Sequence, residues 1–191
     1  MFSMSREQQF ESPPKLLTIG HSTRPIEVFI RLLKAHGATR VADVRTVPRS
    51  RHNPQFNRDT LPGSLEAAGI AYTHMAGLGG LRRARPDSIN TGWKNASFRG
   101  YADYMQTPEF EANLRDLIEF AKKGRVVLMC AEAVPWRCHR SLIADALVAR
   151  GISTEHIMTE SRRDPHSLRS FARKTGIHVT YPATDAPAEL F

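Results

Sequence analysis

The stretch VVLMCAEAVPWRCHRSLIADAL, residues 126–147, decides the fold. It opens as an unbroken apolar run that ends at Cys130. An irregular segment follows, carrying Arg137, Cys138, His139 and Arg140. A helical pattern comes next, with Leu142, Ile143, Ala146 and Leu147 on one face and Gly151 as its stop. A short run with no polar face reads as a strand buried on both sides. Such a strand needs helices above and below it, and one helix begins directly after the irregular segment.

The same alternation extends outward. LLTIGHS (16–22) reads as a strand, RPIEVFIRLLKAHG (24–37) as a helix stopped by Gly37, and TRVADVR (39–45) as a second strand. An irregular loop, TVPRSRHNPQFNRDT (46–60), leads to a weak helix, LPGSLEAAG (61–69). IAYTHMAGLGG (70–80) is a third strand entering a glycine-rich turn, followed by a long irregular insertion over 81–100. Residues 101–124 are helical with a break near Pro108, and Tyr101, Tyr104 and Met105 sit at core spacing. ISTEHI (152–157) is a candidate fifth strand. HSLRSFARKTG (166–176) reads as a short helix and IHVTY (177–181) as an extended piece. Strands alternating with helices predict a three-layer α/β/α domain with a mostly parallel sheet of about five strands. The expected organisation is a flexible leader at 1–14, a single α/β domain at 15–160, and a partly ordered C-terminal extension at 161–191.

Composition narrows the function classes. The chain has 191 residues, 41% hydrophobic and 24% charged, which suits one globular domain. No run is long enough to span a bilayer, and the N-terminus lacks an apolar signal region. Two cysteines rule out a disulfide scaffold and make the cytoplasm the expected compartment. A formal net charge of +8 favours anionic partners: a small molecule, a phosphate group or nucleic acid, and no membrane.

In a parallel sheet, ligands bind beyond the carboxyl ends of the strands, where helix N-termini also gather. Four separate segments are expected to meet there. The first strand delivers His21 and Ser22, the second Arg45, Arg49 and Ser50. The third delivers Gly79 and Gly80, and the fourth Cys130, Glu132, Cys138, His139 and Arg140. A thiol between a strand and a helix N-terminus feels the positive end of the helix dipole, and nearby arginines add to it, so a lowered thiol pKa is expected. Cys130 is the candidate nucleophile, Arg45 and Arg140 the candidate anion holders, and His21 or His139 the proton-transfer group. Ser22, Arg49, Ser50, Gly79, Gly80, Glu132 and Cys138 are candidate binding residues.

Plainer readings stand beside these. Cys130 could be a small core hydrophobe, Cys138 a helix-start residue, Arg45 the neutraliser of Asp43, and Gly79–Gly80 an ordinary turn. No cofactor is expected. A metal held by Cys130, Cys138 and His139, with Glu132 and His21 as further ligand types, is one alternative, and a reversible disulfide between the cysteines is another. A nucleic-acid-binding module is the third, supported by Arg45, Arg49, Arg51, Arg58, Arg82, Arg83 and Arg85 with Phe56 and Trp93.

Five segments carry a resemblance: TIGHST (18–23), ADVRTVPRSRHNPQF (42–56), LGG (78–80), FRGYADYM (98–105) and LMCAEAVPWRCHRSLIA (128–144). In this order the chain resembles the domain of unknown function 488 family from Thr18 to Ile157. The resemblance implies a small α/β domain and a set of positions: His21, Ser22, Arg45, Pro48, Ser50, Gly79, Gly80, Cys130, Glu132, Cys138, His139 and Arg140. It implies no particular reaction. VADVR (41–45) and RSLIADALVARGISTEHI (140–157) are also similar to parts of rhodanese-type domains, and the strand–cysteine–arginine–helix order is similar to cysteine phosphatases. The loop from Cys130 to Arg140 is longer than the cradle of either. The expected function is therefore an enzyme using a Cys/His/Arg pocket on an anionic or phosphate-bearing substrate, of hydrolase or sulfur/phosphoryl-transfer type.

Overall fold

Apolar residues on the central strands alternate between two cores, and that alternation builds the layers. On β1 (Leu16–Gly20) and β4 (Val126–Cys130), Leu17, Ile19, Val127 and Met129 enter one core, while Leu16, Val126, Leu128 and Cys130 enter the other. The first core is covered by α1 (Ile26–Ala35) through Phe29, Leu32 and Leu33, and by α2 (Leu61–Ala67) through Leu61 and Leu65. The second is covered by α3 (Ala96–Tyr104), α4 (Pro108–Ala121) and α5 (Arg140–Ala149). The architecture is a three-layer α/β/α sandwich, seen in a computed structural model that describes residues 15–183. The expected leader at 1–14 and the last part of the extension, 184–191, lie outside the described residues.

The other strands are β2 (Arg40–Asp43), β3 (Ala71–His74), β5 (Thr154–Ile157) and β6 (Arg163–Pro165). Their order is β3-β2-β4-β1-β5-β6, with β1 to β5 parallel and β6 antiparallel to β5. Gly20 is level with Cys130, and Asp43 is level with both Met129 and His74. The carboxyl ends of four strands therefore form one rim.

Local signals explain the helix boundaries. The helical run of residues 101–124 is two helices. Thr107 accepts a hydrogen bond from the Phe110 N–H at 3.2 Å and Pro108 occupies the first turn, so α4 restarts where α3 ends. Asn95 caps α3 in the same way. Tyr101, Tyr104 and Met105 are core residues, as their spacing predicts. No described helix is long and apolar enough to cross a membrane.

The region after Ser161 departs from the sequence reading. Residues 166–176 form no helix. They give irregular chain and β7 (Arg173–Thr175), which pairs with β8 (His178–Thr180) around a left-handed Gly176. Tertiary contacts override the helical spacing: Leu168 and Phe171 pack on the core beside Trp93, and Tyr181 is fully buried. The Tyr181 hydroxyl donates to Asp145 at 2.6 Å. That carboxylate begins a buried chain in which His166 donates to Asp145 at 2.8 Å, His156 to His166 at 2.9 Å, and Thr18 to His156 at 2.7 Å. The extension thus closes one end of the domain and supplies its sixth strand.

Candidate functional site

A cleft of about 750 Å³ opens over the shared rim. Among the residues expected there, His21, Ser22, Arg45, Arg49, Ser50, Gly80, Cys130, Glu132, Cys138 and His139 line it. Gly79 and Arg140 do not. The four turns do converge, because the parallel strands between them end at one level.

His21 follows β1 where the chain reverses through Ser22, whose φ of 52° is left-handed. The Ser22 N–H is tied to the Ala131 carbonyl at 2.9 Å. His21 Nδ1 donates to the Ser22 carbonyl at 2.8 Å, and Nε2 accepts from Arg45 Nη1 at 3.2 Å. A guanidinium can only donate, so this pattern fixes a neutral imidazole with both nitrogens in use. Burial, aided by the Arg45 charge, lowers its pKa to about 4. His21 is therefore part of the wall and has no free nitrogen for proton transfer.

Arg45 is similarly occupied. Its Nε and Nη2 grip the two oxygens of Asp43 at 2.9 and 2.6 Å, and Nη2 also reaches the Phe56 carbonyl at 2.8 Å. Asp43 is fully buried and accepts the Tyr72 hydroxyl as well, at 2.8 Å. Arg140 is 1% exposed and holds the loop carbonyls of Glu132 and Ala133 at 2.5 and 3.0 Å. The close approach of that loop is possible because residue 20 is glycine: a β-carbon there would strike the Glu132 carbonyl. Both arginines expected to hold an anion thus direct most of their donors at the protein, while Arg140 Nε is buried with no partner among the described residues. The cations that line the cleft with no hydrogen bond or ion pair among the described residues are Arg49 and Arg137, both exposed.

The sulfurs sit at the base of the cleft. His139 Nε2–H donates to the Val44 carbonyl at 3.0 Å, which leaves Nδ1 facing Cys138 Sγ at 3.8 Å and Cys130 Sγ at 4.0 Å. The neighbouring Cys130, together with His139 and Arg140, holds Cys138 well below the usual thiol range. The neighbouring Cys138, and burial, push Cys130 well above it. Of the two, Cys138 is the thiol held low, and it lies nearer to His139 Nδ1 and directly precedes α5. One donor atom from each of Cys130, Cys138 and His139 lies within 4.8 Å of the others, so these three could hold a metal. Glu132 and His21 are outside that set.

The double glycine serves packing. A β-carbon on Gly80 would fall 2.8 Å from Cγ of His139, and one on Gly79 would fall 2.8 Å from the Thr46 backbone. Sequence reasoning did not place Val47, Leu81 and Phe98 in the lining. Val47 and Leu81 are 63% and 78% exposed, and Trp136, next to Arg137, is 57% exposed. Apolar residues set singly in irregular polar segments were the available signal.

No curated protein and no solved structure matches the chain. A family model described as "Domain of unknown function DUF488" matches residues 25–147, a span that includes β2, β4, the loop with both cysteines and most of α5. With more than half of its length matched, and with His139, Cys138 and Arg137 inside that span, the chain belongs to the DUF488 family.

Proposed function

We propose that the protein is an enzyme that acts on an anionic, phosphate-bearing substrate by nucleophilic attack of Cys138. One observation carries the reading: Cys138 Sγ lies 3.8 Å from an imidazole nitrogen whose partner nitrogen is pinned to Val44, at the base of a cleft with two arginines that have no side-chain partner among the described residues. The Cys138 proton passes to His139 Nδ1. The sulfur bonds to the electrophilic centre, and the leaving group departs with the proton from Nδ1. Water or a second acceptor then releases the sulfur. Arg49 and Arg137 neutralise the anion. The scheme covers hydrolysis and phosphoryl or sulfur transfer alike.

Iodoacetamide labelling read by peptide mass spectrometry tests it. Cys138 is expected to label before Cys130, and inorganic phosphate is expected to slow that labelling. Equal labelling of both thiols, or no effect of phosphate, would overturn the reading.

A second reading, nucleic-acid binding, is favoured by one feature. Each cleft-lining arginine has an exposed apolar side chain close to it in sequence: Val47 near Arg49 in the lining, and Trp136, outside the lining, next to Arg137. Such pairs suit a base beside a phosphate. Binding of a single-stranded oligonucleotide that weakens with salt is expected, and salt-independent binding would exclude it.

A further inference from the structure

We propose that Cys130, Cys138 and His139 form a three-ligand site for a soft cation of the Zn²⁺ class, with the fourth position open to the cleft. The inference goes beyond the nucleophile reading and stands on donor geometry alone.

In a tetrahedral site, zinc–sulfur bonds of about 2.3 Å and zinc–nitrogen bonds of about 2.0–2.1 Å set a sulfur–nitrogen edge of about 3.6 Å. The two edges here are 3.8 and 4.0 Å. These two edges need to close by only a few tenths of an ångström, and the sulfur–sulfur edge, which lies within 4.8 Å, has about 3.8 Å as its tetrahedral value. The imidazole is already turned correctly. Val44 holds Nε2–H, as an outer partner holds a ligating histidine, and Nδ1 is left for the ion. Gly80 packs against the ring near Nδ1, and the absence of a β-carbon there leaves room for the ring in this position. All three residues line the cleft, which provides an entry path and room for a fourth ligand. Two sulfurs and one imidazole select zinc or cobalt over magnesium or calcium. The thiol protons leave to solvent as the ion binds.

Coordination uses the same sulfur lone pairs that attack a substrate. If the thiol reading holds, the metal-loaded protein is the silent form and the metal-free protein the reactive one. An anion drawn in by Arg49 and Arg137 would occupy the fourth position.

The test uses the full chain stripped of metal with a chelator, then titrated with Co²⁺ and next with Zn²⁺. The expected result is saturation at one equivalent, intense visible bands of tetrahedral cobalt, and a thiolate-to-cobalt charge-transfer band. Zn²⁺ should bleach all of them. Cys130→Ser should roughly halve the charge-transfer band, and His139→Ala should weaken Co²⁺ binding at least tenfold. The wild-type band intensity gives the thiolate count whether or not the variants fold, and the expected count is two. A pale octahedral spectrum, or a full band in Cys130→Ser, overturns the proposal. Failure here with phosphate-protected labelling of Cys138 intact removes the metal site alone. A tetrahedral cobalt spectrum without phosphate protection removes the nucleophile reading alone.

Discussion

The imidazole of His139 rests against the backbone of Gly80, so closely that a β-carbon at position 80 would lie 2.8 to 2.9 Å from its ring carbons. The turn after β3 therefore sets the position of a side chain at the start of α5. Gly80→Ala is expected to displace the ring from both sulfurs and from Val44. Iodoacetamide labelling of Cys138 should slow by about tenfold or more. That magnitude corresponds to roughly 1.4 kcal/mol of lost activation. Labelling as fast as wild type would mean that His139 does not assist Cys138.

The four arginines should divide into two pairs. Arg49→Ala and Arg137→Ala are expected to abolish phosphate protection of Cys138 and leave thermal stability nearly unchanged, since both side chains are exposed and unpaired among the described residues. Arg45→Ala should instead destabilise the fold by about 3–5 kcal/mol, because it strands the buried Asp43 carboxylate. Urea unfolding of the four variants, Arg140→Ala included, separates the pairs. A stable Arg45→Ala protein would refute the structural role assigned to that residue.

Acid should weaken the fold through two histidines. Burial lowers the pKa of His21 to about 4 and that of His156 to about 3, against an ordinary value of 6.5. Both are neutral in the folded state, so the unfolded chain takes up their protons first. Their contribution is complete above about pH 6.5 and is lost as pH falls toward 4 and then 3. Each adds a slope of about 1.4 kcal/mol per pH unit across its window. Urea midpoints measured from pH 7.5 to pH 4 check this, and a flat profile would contradict it. His156→Gln should roughly halve the slope between about pH 6 and pH 4, where both histidines contribute.

Tyr181→Phe removes a donor to the fully buried Asp145 and leaves the ring in place. A loss of about 1–3 kcal/mol is expected from the unsatisfied carboxylate oxygen. Faster proteolysis within residues 163–183 should accompany it, because that contact fastens the last described residues to α5. Unchanged stability and unchanged cleavage would show that the extension is held elsewhere.

Much of this was legible in the residues. The apolar run at Val126–Cys130 had to be buried on both faces, and the short strands around it had to run parallel. Parallel strands brought His21, Arg45, Gly80 and Cys130 to one rim. Which side chains stay free at that rim was not legible, because burial and pairing decide it. Arg45 and Arg49 are four residues apart in one loop, yet one is locked to Asp43 and the other faces the cleft. The placing of Cys138 beside His139 was hidden for a similar reason: the path of the loop over 131–139 is set by Arg140 and Gly20, far apart in sequence. The extended reading of 177–181 contains β8, whereas β6 and β7 were missed because their residues gain strand geometry from neighbours and carry no alternation of their own.

The strand order places β4 between β1 and β2, so the two earliest strands belong to no common sheet until Val126–Cys130 arrives to bridge them. During synthesis, more than half of the polypeptide must emerge before this wedge can be inserted. The wedge carries Cys130 and is followed at once by Cys138 and His139. Both cysteines thus enter the molecule with the segment that completes the sheet, and a truncated precursor ending before β4 lacks both sulfurs of the proposed site.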